Sequence, residues 1–426
     1  MIYASTFLSY SSTDHLLVKA VACELGHWGI VPWLDKNELN PGESLRKALS
    51  EAIRKQETVT LFLSKDSVVS SWVQEELAVA LEMEESMDHK DRIIPVFIGA
   101  PLELVNASDV LRKRWLDSDG TTVDRLGVAV DPNKDISILA NDIAREIAQK
   151  IYKVLNIKDR REIVLCIDQR GNGKRTGIPP FIPDNVESMD IPALVFRHDI
   201  EERDPGETLY GEKWDQTHGK IKNALCCALD GTRWKDFKKI RLIGNAQLGL
   251  AYVLGNYFNR NTSAHLYCMN MDGVVFNNKD QRRDCPLEGG NAHCESTHAR
   301  IQPIQTGSQL NAISLLLSSK YLVTKLSRYL NAVKDAPPLV WVENPRFTNN
   351  GQVMQYISDI VALLMRYSEE YDIRTVHLYC GLPFHVIPLL AANLLHVIDN
   401  VIFMEFRRDL QDTSAADEDM YVALSI

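Results

Sequence analysis

The sequence has no uninterrupted apolar run long enough to cross a membrane as a helix. The most apolar stretch, residues 385–404, is broken by five polar side chains and fits a helix followed by a strand better. The first residues lack the charged segment and apolar core that are typical of a signal peptide. We therefore expect a cytoplasmic protein with no membrane partner.

Cysteine is sparse and shows no paired spacing. The 8 cysteines are scattered through the chain, which is typical of proteins from a reducing cytoplasm. One cluster could ligate zinc, although it lacks the CxxC pairs of strong zinc sites. Its members are Cys285, His293, Cys294 and His298. We favour an ordinary polar loop with no metal, and a structural metal is the alternative.

Basic residues are also fewer than acidic ones. The chain has 47 lysines and arginines against 57 aspartates and glutamates, which gives a net charge of −10 at pH 7. A protein that binds bulk DNA or RNA must neutralise many phosphates, so this class is not expected, whereas a small nucleotide in a local basic pocket remains possible. The loop Arg170–Arg175 lacks the GxxxxGKS/T spacing of a phosphate loop, which argues against a nucleoside triphosphatase.

The length of 426 residues predicts two or three domains, and a composition of 45% hydrophobic and 24% charged residues predicts a globular protein. In the first segment strands and helices alternate, which predicts a parallel α/β sheet. Strands are predicted at 6–10, 30–35, 58–64, 93–98 and 126–130, and helices at about 14–26, at 45–55, from Ser71 onward and at 136–155. Pro95 predicts an edge strand or a bulge. Residues 158–162 predict a charged linker.

The most informative motif is Ser71-Trp72-Val73-Gln74-Glu75-Glu76-Leu77, directly after the apolar strand 58–64. Ser71 and Gln74 have the spacing of a capping box. Trp72 and Glu76 are four residues apart and share one face of the predicted helix. Glu76 then lies near the carboxyl end of the strand, where open α/β sheets bind ligands, and Glu75 points away from it. Such a carboxylate is either a catalyst or a charge on the helix surface.

The second segment contains a weak internal repeat. Residues 240–269 and 376–406 each predict a strand, a turn of small residues, a helix and a strand, with an offset of 136 residues between Arg241 and His377. Two such copies normally face each other, and their turns line a shared cleft. Backbone amides at the helix starts favour phosphates. The alternative is that the similarity is accidental, because any α/β protein contains such units.

Four blocks of the first segment, in this order, resemble a TIR domain. They are Phe7-Leu8-Ser9-Tyr10-Ser11-Ser12-Thr13-Asp14, Trp33-Leu34-Asp35, the loop Asn37–Ser44 and the Ser71–Leu77 motif. The last block is similar to the motif of enzymatic TIR domains, and this implies that Glu76 is the catalytic residue of NAD cleavage. The resemblance implies NAD contacts from Ser9, Tyr10, Ser11, Trp33, Asp35 and Trp72. It also implies that Asn40, Pro41 and Gly42 lie in the loop that links TIR subunits.

Residues 160–426 resemble a SAVED domain, a fusion of two CARF-like halves that senses cyclic oligonucleotides. The resemblance rests on Leu242–Gln247, on the second copy at 376–406 and on Gln305–Ser308, which we expect to open a helix. It implies a nucleotide site built from Gly244, Asn245, Gln247, Gly381, Pro383, Arg170, Lys174, Arg197 and Arg346. Arg241 is a further cationic candidate. Tyr210 and Trp214 could stack on bases, although core packing suits Trp214 better.

The two resemblances imply an α/β protein with a flavodoxin-like TIR domain at 1–155 and a SAVED domain at 160–426. The latter would consist of two Rossmannoid halves, at about 160–295 and 296–426. The combination resembles the TIR–SAVED effectors of bacterial antiphage signalling (CBASS). These are NAD glycohydrolases that a cyclic oligonucleotide assembles into oligomers or filaments.

The resemblance also implies which small molecules the protein binds. NAD+ is the substrate, no cofactor is implied, and the activator is expected to be a cyclic trinucleotide such as cyclic tri-adenylate. Two alternatives remain: a TIR scaffold without enzymatic activity that recruits partners, and a sensor of a cyclic dinucleotide.

Overall fold

The part of the chain that the structure describes folds into three β-sheets, one of five strands and two of six, surrounded by helices. A computed structural model provides this architecture. The residues that it describes are 1–34, 45–86, 91–125, 127–130, 134–169, 182, 187–197, 210–229, 238–260, 264–270, 275–277, 299–301, 311–394, 397–406 and 420–424.

The first sheet is parallel, with the strand order β3-β2-β4-β5-β6. A two-residue strand that precedes it in the chain, Ile2–Tyr3 (β1), belongs to another sheet. The five strands are Ser5–Ser9 (β2), Val31–Leu34 (β3), Thr58–Leu63 (β4), Ile93–Ile98 (β5) and Val128–Val130 (β6). Every residue of β2 and β4 is buried, as expected for parallel strands with helices on both faces.

The position of Pro95 differs from the expectation. Its strand β5 lies between β4 and β6 and pairs in regular register with both, so the predicted edge position or bulge is wrong. The proline is tolerated because β6 pairs with β5 only from Val96 onward. Beside Pro95, that ladder requires no backbone donor.

Helices cover both faces of this sheet. They are His15–His27 (α1), Leu45–Lys55 (α2), Ser71–Ser86 (α3), Pro101–Asn106 (α4), Asp109–Trp115 (α5) and Ile136–Val154 (α6). Phe7 of β2 packs in one cluster with Ile53 and Leu77, from α2 and α3. Its neighbour Leu8 packs in another cluster with Val18 of α1. Because successive strand residues point to opposite faces, odd-numbered residues of β2 lie on the α2–α3 side.

The other two sheets share one arrangement, with the orders β1-β8-β7-β9-β10-β11 and β12-β14-β13-β15-β16-β17. In each, the four central strands are parallel and the last strand is antiparallel to its neighbour. The first strands differ, because β1 is parallel to β8 whereas β12 is antiparallel to β14. The strands of the first are Glu162–Asp168 (β7), Pro192–Arg197 (β8), Lys238–Asn245 (β9), Ala264–Met269 (β10) and Val275–Asn277 (β11). Those of the second are Ala299–Ile301 (β12), Ala312–Ser318 (β13), Leu339–Glu343 (β14), Thr375–Cys380 (β15), Asn400–Phe406 (β16) and Tyr421–Leu424 (β17).

The predicted repeat is therefore confirmed. β10 and β16 begin at Ala264 and Asn400, 136 residues apart. The helices of this region are Gly211–Leu229 (α7), Leu248–Arg260 (α8), Lys320–Ala332 (α9), Asn350–Tyr371 (α10) and Ile387–Leu394 (α11). Gln305–Ser308 lie outside the described residues, so the helix expected to open there stays a prediction.

Helices α8 and α11 form the seam between the two halves. They approach closely at Gly255, where an added Cβ would lie 2.2 Å from the Pro388 carbonyl oxygen and 2.7 Å from its Cα. At the strand ends, Gly244 leaves similar room for the ring of Phe384, which an added Cβ would approach to 2.3 Å. Because these two glycines of the first half have no side chain, residues of the second half pack directly against the backbone of the first half.

The start of the chain is paired with the second segment. β1 runs parallel to β8, with Ile2 opposite Pro192 and Tyr3 opposite Ala193. The amide of Ala4 donates to the Ala193 carbonyl at 2.8 Å. Further on, the amide of Val195 donates to the carbonyl of Gly29 at 2.9 Å. Backbone hydrogen bonds therefore join the two segments at two places.

Side chains strengthen this junction. Lys220 of α7 donates to Glu24 of α1 at 2.9 Å, and Glu24 also contacts His27 at 3.1 Å. The predicted linker 158–162 is not a loose connection: Glu162 begins β7, and Lys238 donates to the carbonyl of the buried Ile157 at 2.8 Å. In the described part of the chain, no helix combines the length and apolarity required for a membrane span.

Candidate functional site

Glu76 lies in the second turn of α3, just beyond the carboxyl end of β4. The apolar residues that recur at helical spacing around it are buried against the sheet, namely Val73, Leu77 and Ala80. Glu76 itself is 1% exposed, whereas Glu75 is partly exposed. The helical spacing read from the sequence thus places the two adjacent carboxylates in different environments.

This helix begins one residue earlier than the expected capping box requires. Ser71 is the first helical residue, so the capping position falls on Ser70. The side-chain amide of Gln74 donates instead to the carbonyl of Val68 at 3.2 Å. This contact ties the start of α3 to the loop that follows β4.

Ser9 and Trp33 lie on the α2–α3 side of the sheet. Ser9 ends β2 and is fully buried, and its Oγ has no hydrogen-bond partner among the residues that the structure describes. Trp33 stacks on Phe7 with ring centroids 4.8 Å apart and planes at 21°. Since Phe7 and Ser9 share a face of β2, a buried hydroxyl, an indole and the Glu76 carboxylate all lie on one face, with Ser9 and Glu76 at its carboxyl-end edge.

A second set of polar residues surrounds the turn after β2. The Oγ of Ser64 donates to Asp14 at 2.7 Å, and this joins the loops that follow β2 and β4. Burial raises the pKa of Asp14, and the charge of Asp66 raises it further. Tyr10 and His15 are 3.3 Å apart at the phenol oxygen and Nδ1, and Thr13 donates to Ser11 at 3.0 Å. The sequence assigned no role to His15, and Asp14 appeared in it only as the last residue of the first TIR-like block and near the start of a predicted helix.

Several predicted residues lie outside the described part of the chain. They are Asp35, Asn40, Pro41, Gly42, Arg170 and Lys174, and the side chain of Trp72. The zinc candidates Cys285, His293, Cys294 and His298 lie outside it too. Among the described residues, no group of three or more metal-ligating side chains is close enough to hold an ion.

A cleft of about 720 Å³ opens between the two halves of the second segment. This volume is typical of small-molecule sites. Its described lining comprises Gly244, Asn245, Ala246, Leu248, Met269, Asn270, Leu316, Leu322, Tyr379, Cys380, Gly381, Leu382, Pro383, Phe384, His385, Phe403, Met404, Glu405, Phe406 and Tyr421. The two turns that the repeat predicted, at Gly244–Asn245 and at Gly381–Pro383, therefore meet in one cavity.

The other predicted residues of this segment have partners elsewhere. Gln247 is buried and its amide donates to Gln169 at 2.7 Å. Arg197, also buried, lies 3.6 Å from Asp168 at the carboxyl ends of β8 and β7. Arg241 pairs with Glu162. None of these three is among the described lining residues of the cleft.

Three aromatic or cationic candidates remain. Trp214 is buried in the core beside His218, with ring centroids 5.3 Å apart. Tyr210 and Arg346 are exposed. Trp214 therefore packs in the core, as favoured, and neither exposed residue is among the described lining residues of the cleft.

The cleft also contains functional groups that the sequence analysis missed. Glu405 is 7% exposed, and its Oε2 accepts a hydrogen bond from the amide of Gly249 at 2.9 Å. The start of α8, expected to hold a phosphate, is thus occupied by a carboxylate. His385 stacks on Phe276 at 4.5 Å, and burial lowers its pKa to about 4. No local pattern indicated Glu405, because its partner Gly249 is 156 residues away.

The first segment matches a family model, and the chain is similar to several solved structures. Residues 6–126 match the family model of the TIR domain. The chain is similar to a structure of Acinetobacter baumannii Cap4, a SAVED/CARF-domain containing receptor, with the cyclic trinucleotide 2'3'3'-cAAA. That similarity has 11% identity, a TM-score of 0.40 and coverage of 89% of this chain and 82% of that one. For the complex with 3'3'3'-cAAA the values are 11%, 0.42, 99% and 87%.

A further similarity concerns the first segment. The TIR domains of the activated Roq1 resistosome, which recognizes the pathogen effector XopQ, are 23% identical, with a TM-score of 0.23 over 34% of this chain and 83% of that one. No curated protein matches the chain. The predicted α/β fold class is confirmed by the sheets and helices of the described residues, and the resemblance of the first segment to a TIR domain is confirmed by the family match.

Proposed function

We propose that the chain is an NAD glycohydrolase whose TIR segment is switched on by a cyclic oligonucleotide bound in the cleft between the two halves. The observation that carries the proposal is Glu76, a carboxylate 1% exposed at the carboxyl end of a parallel sheet. This edge is where open α/β sheets bind ligands.

The chemistry of NAD cleavage suits one fixed carboxylate. Nicotinamide leaves from a cationic pyridinium and needs little acid catalysis, so positive charge develops on the ribose. In the proposed mechanism Glu76 stabilises that charge and holds the ribose hydroxyls. Ser9 and Tyr10 are proposed as polar contacts to the dinucleotide, and Trp33, which stacks on Phe7 at 4.8 Å, as a wall of the pocket. Ser11, Asp35 and Trp72 remain proposed contacts on the resemblance alone.

The unlike lining residues of the two halves support a trinucleotide over a symmetric dinucleotide as the ligand. Counted from the starts of β10 and β16, Met269 in one half corresponds to Glu405 in the other, and Asn270 to Phe406. All four residues line the cleft. A ring of two identical nucleotides would meet unlike groups across the pseudo-twofold axis, whereas a ring of three has no such symmetry to match.

Self-association is proposed as the step between ligand binding and activity. Five large apolar side chains of the first segment are exposed by 38% to 71%. They are Leu16, Val69, Leu102, Ile136 and Ile138. Each follows the carboxyl end of a strand of the first sheet, so all five lie along the edge that contains Glu76. Exposed apolar surface of this kind typically marks a protein interface, and head-to-tail contacts that do not close form filaments.

The experiment is to mix the protein with NAD+ and a panel of cyclic di- and trinucleotides and to follow nicotinamide release. We expect release with a trinucleotide such as cyclic tri-adenylate and none with dinucleotides. Ligand-independent turnover by dilute protein would contradict the switch. No release with any ligand would favour the alternative, a TIR scaffold without enzymatic activity.

A further inference from the structure

Residues 64–70, which we call the serine turn, connect β4 to α3, the helix that carries Glu76. The Ser64 amide donates to the Ser67 hydroxyl at 2.7 Å, and the Ser67 amide donates to the Ser64 hydroxyl at 3.2 Å. The amide of Val68 donates to the Ser64 carbonyl at 3.1 Å. All three residues are buried. Because each hydroxyl accepts from the amide of the other serine, the turn is fixed by its own hydrogen bonds.

The serine turn is also tied to the start of α3. The side-chain amide of Gln74 donates to the Val68 carbonyl at 3.2 Å, and the backbone amide of Gln74 donates to the Ser70 carbonyl at 3.1 Å. Gln74 lies in the first turn of the helix, two residues before Glu76. A displacement of the serine turn would therefore move the start of α3, and Glu76 with it.

Asp14 holds the serine turn from the loop that follows β2. The Ser64 hydroxyl donates to Oδ2 of Asp14 at 2.7 Å. The backbone amide of Asp14 in turn donates to the Ser11 carbonyl at 2.9 Å. Asp14 thus comes shortly after the proposed NAD contacts Ser9, Tyr10 and Ser11. One hydrogen bond joins the loop of these contacts to the turn that leads to the proposed catalyst.

The carboxylate of Asp14 is turned away from its ordinary local role. Asp14 is the capping residue of α1, where an aspartate usually accepts from the first amides of the helix. In the described structure its side chain makes no capping hydrogen bond and accepts from Ser64 instead. Burial raises the pKa of Asp14, the hydrogen bond from Ser64 lowers it in part, and the charge of Asp66 raises it further. Ionisable groups in such surroundings are concentrated at functional sites.

We propose that Asp14 is a positioning residue for NAD cleavage: it holds the serine turn through Ser64 and thereby sets where the Glu76 carboxylate lies relative to the bound substrate. This inference rests on the proposed NAD glycohydrolase function. A misplacement of about 1 Å can cost about 100-fold in rate. In this role Asp14 acts through a hydrogen bond and not on the reacting atoms. A side chain of the same shape with an oxygen acceptor should therefore replace it.

The test measures nicotinamide release from NAD+ with cyclic tri-adenylate as the activator. Asp14→Ala should lower kcat by about 10- to 100-fold and change KM by less than about threefold, because substrate still binds while Glu76 is misplaced. Asp14→Asn keeps an oxygen that accepts from Ser64, so it should retain about a third of kcat or more. The matched control is Asp66→Ala, at an exposed residue of the same turn, which should retain activity within about twofold.

A second variant separates this role from a general loss of stability. Ser64→Ala removes the hydroxyl that donates to Asp14 and should also lower kcat. The double variant Asp14→Ala/Ser64→Ala should lose no more than the larger single loss, because both changes remove one hydrogen bond. Losses in kcat that multiply in the double variant would contradict the proposed connection.

Hydrogen exchange followed by mass spectrometry gives a readout that requires no NAD. In Asp14→Ala, amides of the serine turn and of the first two turns of α3 should exchange about tenfold faster or more, with α6 unchanged. Asp14→Asn should exchange like the unmodified protein.

Three results would overturn the inference: unchanged exchange in Asp14→Ala, an undiminished kcat in that variant, or an equal loss of kcat in folded Asp14→Asn. Each of them leaves the proposed function intact, because the unmodified protein is active in these comparisons. If the unmodified protein releases no nicotinamide with any ligand of the panel, the proposed function fails and the positioning role with it.

Discussion

At the level of single residues, Glu76 of α3 and Ser9 of β2 are buried polar groups at one edge of the first sheet. Glu76 is 1% exposed and Ser9 is fully buried. Both lie at the carboxyl-end edge, on the α2–α3 face. In a site that excludes water, a fixed charge acts on a developing charge far more strongly than it does in solution. This is why a carboxylate in this position, rather than its partly exposed neighbour Glu75, is the proposed catalyst.

The variant Glu76→Gln should lower ligand-stimulated nicotinamide release by about 100-fold or more, because the amide keeps the shape but not the charge that stabilises the transition state. The matched control is Glu75→Gln on the same helix turn, which should retain activity within about twofold. Thermal unfolding of both variants checks that the fold is intact. Full activity in a folded Glu76→Gln protein would remove Glu76 from the mechanism.

At the level of elements, the seam between α8 and α11 shapes the cleft, because these helices follow the strands whose turns line it. The variant Gly255→Ala places a Cβ about where the Pro388 backbone lies, 2.2 Å from its carbonyl oxygen. Since backbone cannot move aside as a flexible side chain can, we expect a loss of about 1–3 kcal/mol in the free energy of unfolding.

The control for this seam variant is Gly219→Ala in α7, where an added Cβ meets nothing within 4 Å. Alanine favours the helix, so this change should raise stability by up to about 1 kcal/mol. Chemical denaturation of the two variants measures both effects. Equal unfolding midpoints would show that the seam is looser than its geometry indicates.

The same elements show what local sequence can and cannot reveal. The β4 strand was predictable because a run buried on both faces is apolar throughout. The spacing on α3 placed Glu76 near the carboxyl end of β4, but it left open whether this carboxylate is a catalyst or a charge on the helix surface. In contrast, β1 is only two residues long and pairs with the distant residues Pro192 and Ala193. No local sequence pattern therefore predicts it. The burial of Glu405 likewise depends on an amide 156 residues away.

The junction between α1 and α7 leads to a pH prediction. Burial alone would raise the pKa of Glu24, but contacts with His27 and Lys220 outweigh it and lower the pKa to about 2. A pKa below the ordinary value of 4.5 stabilises the folded state above pH 4.5. This contribution is lost as the pH falls from 4.5 toward 2. Stability measured by denaturation should therefore fall through this window.

The variant Glu24→Gln should lose about 1.5–3 kcal/mol of unfolding free energy at pH 7, as charged hydrogen bonds at a junction typically contribute. Its stability should also depend less on pH in the acidic window. The control Asp142→Asn removes an exposed pair with Arg145, 3.4 Å apart, and should cost less than about 1 kcal/mol. Identical acid unfolding of Glu24→Gln and the unmodified protein would exclude this role of Glu24.

At the level of the whole molecule, the TIR segment and the first half of the second segment are joined as one unit. β1 adds to the sheet of that half, α1 contacts α7 through Glu24 and Lys220, and the amide of Val195 donates to the Gly29 carbonyl. A hinge between the two segments would have to break these contacts. We therefore expect ligand binding to act through the cleft and through contacts between subunits, not through rotation of the TIR segment on a linker.

We therefore expect activity to be controlled by contacts at the exposed apolar edge of the first sheet. Ile138 is 58% exposed in the first turn of α6, whose start is capped by Asp135. The variant Ile138→Glu should not destabilise the monomer, because a carboxylate in the first turn of a helix is favoured by its dipole. If the edge is buried between subunits, an uncompensated charge there should weaken association by about tenfold or more. The dependence of nicotinamide release on protein concentration should then shift to higher concentrations by the same factor, with the limiting rate retained.

Met365→Glu, at an apolar residue 49% exposed on α10, is the control and should leave this dependence unchanged. Sedimentation of both variants with the activating ligand distinguishes loss of assembly from loss of chemistry. Undiminished assembly of Ile138→Glu would show that subunits meet elsewhere.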